Sequence, residues 1–285
     1  MSNYIDGPKQ VPRALTIAGS DSGGGAGIQA DLKTFAAMGV YGTSAITAVT
    51  AQNTIEVTGW LALPPTLVGD QIDAVMTDIG ADAVKTGMLA DASIIEMVAA
   101  KVREHRVEWL VVDPVMVAKG GHKLLEDSAV DALVRDLLPL AAVVTPNIPE
   151  AEVLTGRSIA SWSDMRDAAA RIVDMGARSA VVKGGHFDDA SATDIYFDGS
   201  EYREFSARRV DTRNTHGTGC TFASAIAAGM AKGLDTPGAV ALAKSYVTLA
   251  IQHAFPVGHG HGPVHHFYRY WQPVGEKYRP GVKAR

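Results

Sequence analysis

The chain has 285 residues, with 26 basic and 31 acidic side chains and a net charge of -5. A chain of this length buries about three quarters of the surface its unfolded form exposes, enough for one α/β domain. The charge balance, with no lysine or arginine run, excludes a nucleic-acid groove, and the single cysteine excludes an internal disulfide and a cysteine-based zinc cluster. No apolar run approaches the roughly 20 residues that span a bilayer, so no membrane partner is expected. Residues 1–13 lack the apolar core of a signal peptide, so the expected compartment is the cytoplasm.

In chain order, residues 15–18 form a short apolar run ending at Gly19. A glycine loop follows, Ser20-Asp21-Ser22-Gly23-Gly24-Gly25-Ala26-Gly27, and then a helical pattern through Met38. The lysine and hydroxyl residue that close a P-loop are missing, and the glycines do not fit GxGxxG. Asp21 would repel phosphate, so the loop is expected to hold an uncharged, hydrogen-bonding ligand; a structural turn is the alternative. In the helix, Ile28, Leu32 and Phe35 share a face with Asp31. A carboxylate on an apolar face needs a partner, either loop amides or a ligand at the strand ends, and the ligand is expected.

Further apolar runs at 45–50, 83–85, 109–113, 142–145 and 179–183 are mostly separated by helical patterns. Those helices are expected at 65–78, 91–105, 127–138, 161–175 and 236–254. Such alternation predicts an α/β fold with a doubly wound, mostly parallel sheet and helices on both faces. Residues 193–197 and 201–206 flank Asp198-Gly199-Ser200, an Asp-Gly turn that predicts a small β-hairpin joined to the sheet.

Polar chemistry follows each run: Gln52, then Thr86-Gly87-Met88, Pro114-Val115, Asn147 with Glu150, and Gly184-Gly185-His186. In open α/β sheets ligands bind at the carboxyl ends of strands, so these loops are expected to converge on one crevice. Asp113 and Glu150 offer oxygen ligands that suit magnesium. Asp113 as a turn former and Glu150 as a helix-cap partner are the alternatives, and for Glu150 alone the cap is the stronger reading. Lys183 precedes two glycines, where a cation can approach phosphates beside flexible backbone amides; a solvated lysine is the alternative.

The stretch Asn214-Thr215-His216-Gly217-Thr218-Gly219-Cys220-Thr221 runs into a small-residue helix. Gly217 and Gly219 free the backbone, so successive N–H groups can turn toward one anion at the positive end of the helix dipole. Cys220 stands where the same field favours a thiolate, which makes it a candidate proton acceptor. A glycine corner with a packed cysteine is the bland reading. Near the end, Gly258-His259-Gly260-His261-Gly262 and His265-His266 invite a metal reading, which the flexible glycines and the lack of a nearby carboxylate or thiol disfavour. Tyr268, Tyr270, Trp271 and Tyr278 sit among basic residues, in a tail that either packs on a neighbour or frays.

These motifs, in this order, resemble the ribokinase-like small-molecule kinases, and more narrowly the hydroxymethylpyrimidine and phosphomethylpyrimidine kinases of thiamine biosynthesis. The resemblance runs from AGSDSGGGAGIQADLKTF near Gly19 through AVTAQNT, KTGML, VVDPVM, TPNIPEA, VKGGH and NTHGTGCTF to GPVHHF. It implies an N-terminal extension at 1–13, a kinase domain at 14–267 and a tail at 268–285. It also implies two successive ATP-dependent phosphorylations, first of an aminopyrimidine alcohol and then of its monophosphate, by a homodimer. Carried over, Gly19, Asp31, Gln52, Met88 and Val115 should line the pyrimidine pocket. Lys183 and Asn147 should face ATP, Asp113 and Glu150 should lie near Mg2+, and Gly217, Thr218, Gly219 and Cys220 should form the catalytic loop. The wider family usually has aspartate where this chain has Cys220. Some bacterial pyridoxal kinases share the cysteine, so a vitamin B6 ring is the alternative substrate.

Overall fold

The computed structural model describes residues 11–116, 127–184 and 191–270. The strands are β1 (Arg13–Asp21), β2 (Tyr41–Gln52), β3 (Val57–Ala62), β4 (Ala83–Thr86), β5 (Leu110–Val112), β6 (Val143–Val144), β7 (Ala180–Val182), β8 (Ser191–Phe197) and β9 (Tyr202–Arg208). They form one sheet in the order β3-β2-β1-β4-β5-β6-β7-β8-β9. The run from β2 to β7 pairs in parallel, while β3 and the β8–β9 hairpin are antiparallel at the two edges. The helices are α1 (Gly27–Ala37), α2 (Pro65–Asp78), α3 (Ala92–Glu104), α4 (Asp127–Ala132), α5 (Ile148–Thr155), α6 (Trp162–Asp174), α7 (Thr218–Ala231) and α8 (Thr236–Gln252).

Parallel strands covered on both faces need apolar residues throughout, and the two-residue alternation then sorts them between two cores. Leu15, Ile17, Leu110, Val112, Ala180 and Val182 pack with residues of α2 to α6. Ala14, Val111, Val143 and Val181 pack on the other side with α1, α7 and α8. Helix α7 is built from small residues, with Ala223, Ala225, Ala227 and Ala228 fully buried. Their size lets it lie close to the sheet, and a β-carbon at Gly229 would come within 3.0 Å of Ala239 on α8. This close packing fixes where the first turn of α7 arrives.

Two elements differ from the sequence expectation. Strand β3 has no buried stripe to announce it, since Trp60 is 50% and Leu61 69% exposed at the sheet edge and Gly59 interrupts the run. The helix expected over 127–138 is α-helical only as α4; it continues as a π turn at Leu133–Leu137 and a 3-10 turn at Leu138–Leu140. Pro139 has no N–H and ends the α pattern. Gly185 and His186, and Trp271 and Tyr278 of the expected tail, lie outside the described residues.

Of the histidines near the end, His265 and His266 are buried in packing, whereas His259 and His261 are exposed. The His266 ring nitrogen lies 3.0 Å from the Thr221 hydroxyl of α7, and the Tyr246 hydroxyl donates to the His266 carbonyl. Burial pushes His266 down to about 3, so its ring is neutral. Among the described residues, no helix is long and apolar enough to cross a membrane.

Candidate active site

A cavity of about 800 Å³ opens along the carboxyl ends of the parallel strands. At one end Gln52, Met88 and Val115 line it with Gly19 and Trp60. Gly19 lies against the flexible end of Met88, where a β-carbon would come within 2.6 Å of the methyl group and displace it. Gln52 sits at a register shift between β2 and β3, an irregularity of the kind that re-aims a side chain. At the other end lie Lys183, Asp113, Asn147 and Glu150, with Gly217, Thr218, Gly219 and Cys220 between. The sequence-predicted residues therefore share one crevice, with one exception.

That exception is Asp31, which does not line the cavity. It is fully buried and its carboxylate pairs with Lys85 at 2.9 and 3.0 Å, while the hydroxyls of Thr16 and Ser224 donate to it at 2.6 and 2.5 Å. A carboxylate on an apolar helix face did need a partner, and a buried lysine supplies it in place of a ligand. Lys85 reaches the cavity floor from below.

The first glycine loop also departs from expectation. The Asp21 carboxylate accepts from the N–H groups of Gly23, Gly25 and Ala26 at 2.8, 3.0 and 2.7 Å, and His216 approaches it at 3.0 Å. Burial alone would raise the Asp21 carboxyl, but the His216 contact and these amides outweigh it and hold it below the usual carboxylate value. Those three amides are consumed inside the loop and do not hold a ligand.

The second glycine loop is open. Gly217 caps α7 at φ 76°, with no side-chain cap. The helix positions that follow, Gly219 and Cys220 among them, have no intrahelical acceptor for their N–H groups. A β-carbon at Gly217 would collide with the Gly25 carbonyl oxygen, so the two loops are locked together by the absence of side chains. A β-carbon at Gly219 would stand 3.3 Å from the Lys183 ammonium and 4.0 Å from an Asp113 oxygen, so the helix start meets the charged end of the cavity.

Lys183 lies 3.2 Å from Asp113 and 4.0 Å from Glu150. Burial pushes Lys183 down, but the two carboxylates outweigh it and raise it. Asn147 and Glu150 form a capping box at the start of α5, each side chain bonded to the other's backbone N–H at 2.8 and 2.9 Å. Glu150 thus has the helix-cap role read from its spacing. Burial and the nearby Asp113 push its carboxyl up to about 7, against the opposing pull of Lys183.

Cys220 is corrected in one respect. Burial pushes its thiol up to about 12, with Asp113 and Asp31 adding to the rise and Lys85 opposing it. Desolvation outweighs the helix dipole, so the resting group is a thiol and not the expected thiolate. Residues that sequence reasoning missed include His216, half-buried beside Asp21, and the pair of Lys244 with Asp194 at 2.8 Å. Asp194 also accepts the Gly184 N–H at 3.1 Å. His216 stood inside a motif already singled out; the Lys244–Asp194 pairing joins α8 to β8 and leaves no local signal.

The family model described as phosphomethylpyrimidine kinase matches residues 21–265. The hydroxymethylpyrimidine/phosphomethylpyrimidine kinase of Bacillus subtilis is 51% identical over 258 residues, covering 90% of this chain and 95% of that protein. The thiamine biosynthesis bifunctional protein ThiED of Geobacter sulfurreducens is 56% identical over 252 residues; the match covers 88% of this chain and 51% of that protein, so the chain spans about half its length. A solved structure, an ADP complex of Bacillus subtilis pyridoxal kinase, superposes with a TM-score of 0.85 at 40% identity, covering 90% of this chain and 98% of that one. The fold, the shared cavity and these similarities lead to one conclusion: the chain belongs to the phosphomethylpyrimidine kinase family.

Proposed function

We propose that the protein phosphorylates 4-amino-5-hydroxymethyl-2-methylpyrimidine with ATP and then converts the monophosphate to the diphosphate, as in thiamine biosynthesis. The observation that carries this reading is the meeting of three parts in one crevice: an aminopyrimidine-sized wall at Gln52, Met88 and Val115, the uncapped start of α7, and the Lys183 ammonium. A side-chain amide offers a donor and an acceptor to an aminopyrimidine edge, and the apolar pair covers the ring. The Gly217–Cys220 loop then holds the migrating phosphoryl group, with the Gly219 and Cys220 N–H groups as donors, while Lys183 and Asn147 serve the ATP side.

The donor set fits Mg2+. Two carboxylates, Asp113 and Glu150, lie 3.2 and 4.0 Å from the Lys183 ammonium, and burial together with Asp113 raises the Glu150 carboxyl. Magnesium takes one or two carboxylates together with substrate phosphates, and when bound it neutralises charge on them. Cys220 stands beside the α7 amides, and its minor thiolate form, not the resting thiol, takes the substrate hydroxyl proton in the first step. In the second step the acceptor is already a phosphate, so the cysteine matters less. The working molecule is a cytoplasmic homodimer; the exposed Val49, Trp60 and Leu61 on neighbouring β2 and β3 support a covered face.

Side-by-side assays with ATP test the substrate. The hydroxymethylpyrimidine and its monophosphate should both turn over, and pyridoxal should be the poorer acceptor. Preferred turnover of pyridoxal would move the protein to the vitamin B6 reading that its structural neighbour represents. Sedimentation should give about twice the chain mass of 30.0 kDa.

A further inference from the structure

Strand β4 carries a lysine where a strand covered on both faces is expected to be apolar throughout. Ala83 packs on the side of the sheet that faces α7, and alternation puts Lys85, two residues on, on that same side. The Lys85 side chain is fully buried there, and Gly87 leaves room for its ammonium, since a β-carbon at Gly87 would stand 2.9 Å from Nζ. Beneath the cavity that ammonium meets Asp31 at 2.9 and 3.0 Å. Asp31 in turn is tied to α7, because Ser224 donates to it at 2.5 Å, and Ser224 lies one turn after Cys220 on the same helix face. The ion pair therefore sits under the stretch of α7 that presents the sulfur, and Lys85 and Cys220 border the same cavity.

Stability alone does not account for such a pair, because desolvation consumes much of the attraction between buried charges and apolar residues often replace them without loss. Its hydrogen bonds are also uneven. Both Asp31 oxygens are shared with hydroxyls, Ser224 on one and Thr16 on the other, so the carboxylate divides its charge among several donors. Lys85 bonds to Asp31 alone among the described residues, although an ammonium has three hydrogens to give. Part of its charge is left to act on the cavity floor.

Four charged groups act on the Cys220 sulfur: Asp31 from α1, Lys85 from β4, Asp113 after β5 and Lys183 after β7. Burial and the two carboxylates disfavour a thiolate, and Lys85 is the largest opposing influence, with the Gly27 N–H at the start of α1 adding less. Lys183 is engaged by Asp113 and Glu150 and serves the ATP side, whereas Lys85 is enclosed and cannot swing toward a phosphate. Burial pushes Lys85 itself down, but Asp31, Cys220 and Asp113 outweigh it, so the ammonium keeps its proton. We propose that the buried Lys85 ammonium is the standing counter-charge for the Cys220 sulfur, and that Asp31, Thr16 and Ser224 are the frame that holds it there. Lys85 is a positioning residue, and the inference rests on the reading of Cys220 as the proton acceptor of the first step.

The chain has one cysteine, so its alkylation by iodoacetamide reports the Cys220 thiolate with no substrate present. The pair is neutralised in two ways: Asp31→Asn with Lys85→Gln, which keeps hydrogen-bonding groups for Thr16 and Ser224, and Asp31→Leu with Lys85→Met, which leaves an apolar floor. In whichever of them folds, alkylation should slow about tenfold at every pH from about 7 to 10, and the first phosphorylation should slow in proportion. Asp31→Asn alone removes the opposing carboxylate and keeps the ammonium, so it should speed alkylation about threefold or more. A packing role would not give opposite signs in the single and the paired variants. Equal alkylation in wild type and a folded neutral pair overturns the proposal, as does a neutral pair that alkylates as fast as Asp31→Asn or, should neither pair fold, an Asp31→Asn protein that alkylates no faster than wild type. Slow alkylation with an unchanged first phosphorylation keeps Lys85 as the counter-charge and removes Cys220 as the proton acceptor, so the two readings fail separately.

Discussion

Two glycine-rich loops touch at the cavity wall, Gly25 against Gly217, and they use their amides in opposite ways. The loop after β1 turns its N–H groups inward onto Asp21, so it is a closed, self-satisfied structure. The loop before α7 has no side-chain cap; its Thr218 N–H turns back to the Thr215 carbonyl at 3.3 Å, and Gly219 and Cys220, which line the cavity, follow with no intrahelical acceptor. Glycine content is the same signal in both; the carboxylate partner makes the difference. A glycine loop becomes an anion site only where nothing in the protein has already claimed its donors.

The contrast is most directly broken by adding one methyl group to each loop. Gly217→Ala places a β-carbon against the Gly25 carbonyl at a positive φ, and should lower kcat for both phosphorylations by about 10²- to 10³-fold, with melting curves to separate misfolding from misplacement. Gly23→Ala meets its nearest neighbours at 3.1 and 3.3 Å and should keep most of the activity. Equal losses from the two substitutions would erase the distinction between an open and a closed loop.

Cys220→Ala is expected to slow the first phosphorylation by about 10²-fold and the second less. Because burial holds the thiol near 12, the thiolate fraction grows across the neutral range, so the wild-type first-step rate should climb from about pH 7 to 9 and the variant's should not. A flat wild-type profile would leave the cysteine as packing beside the cradle.

Asp21→Asn should open the closed loop at a stability cost of about 1–3 kcal/mol, read by denaturant unfolding. The folded Asp21 carboxyl lies below its usual 3.8, so its contribution is fully present above that value and is lost as pH falls through the folded value. The variant should therefore lose less stability than wild type when acidified in that range.

Glu150→Gln gives the smallest effect and concerns α5, the capped counterpart of uncapped α7. The folded carboxyl is raised to about 7 from 4.5, so the folded state holds a proton that the unfolded state releases. Wild-type stability should accordingly fall as pH rises from 4.5 to 7, and the variant's should stay flatter, measured by melting temperature. A steeper slope in the variant would mean that Lys183 governs the carboxyl more strongly than burial does.

The sequence by itself determined the fold class and most of the crevice. Apolar runs alternating with helical patterns located β1, β2 and β4 to β7, because strands covered on both faces are apolar and the chain registers that locally, while the Asp-Gly turn located the β8–β9 hairpin. Gln52, Asp113 and Lys183 were legible for a related reason, since polar residues at the ends of such runs sit at one edge of a parallel sheet, while Met88 and Val115 came with the family resemblance. The tertiary structure alone decided the partners. Asp31 goes to Lys85 across 54 positions, Asp21 meets His216 across 195, and desolvation keeps the half-buried Cys220 a thiol. Pairing and desolvation are sums over neighbours brought together by folding, so no window of sequence contains them, whereas periodicity is written along the chain itself.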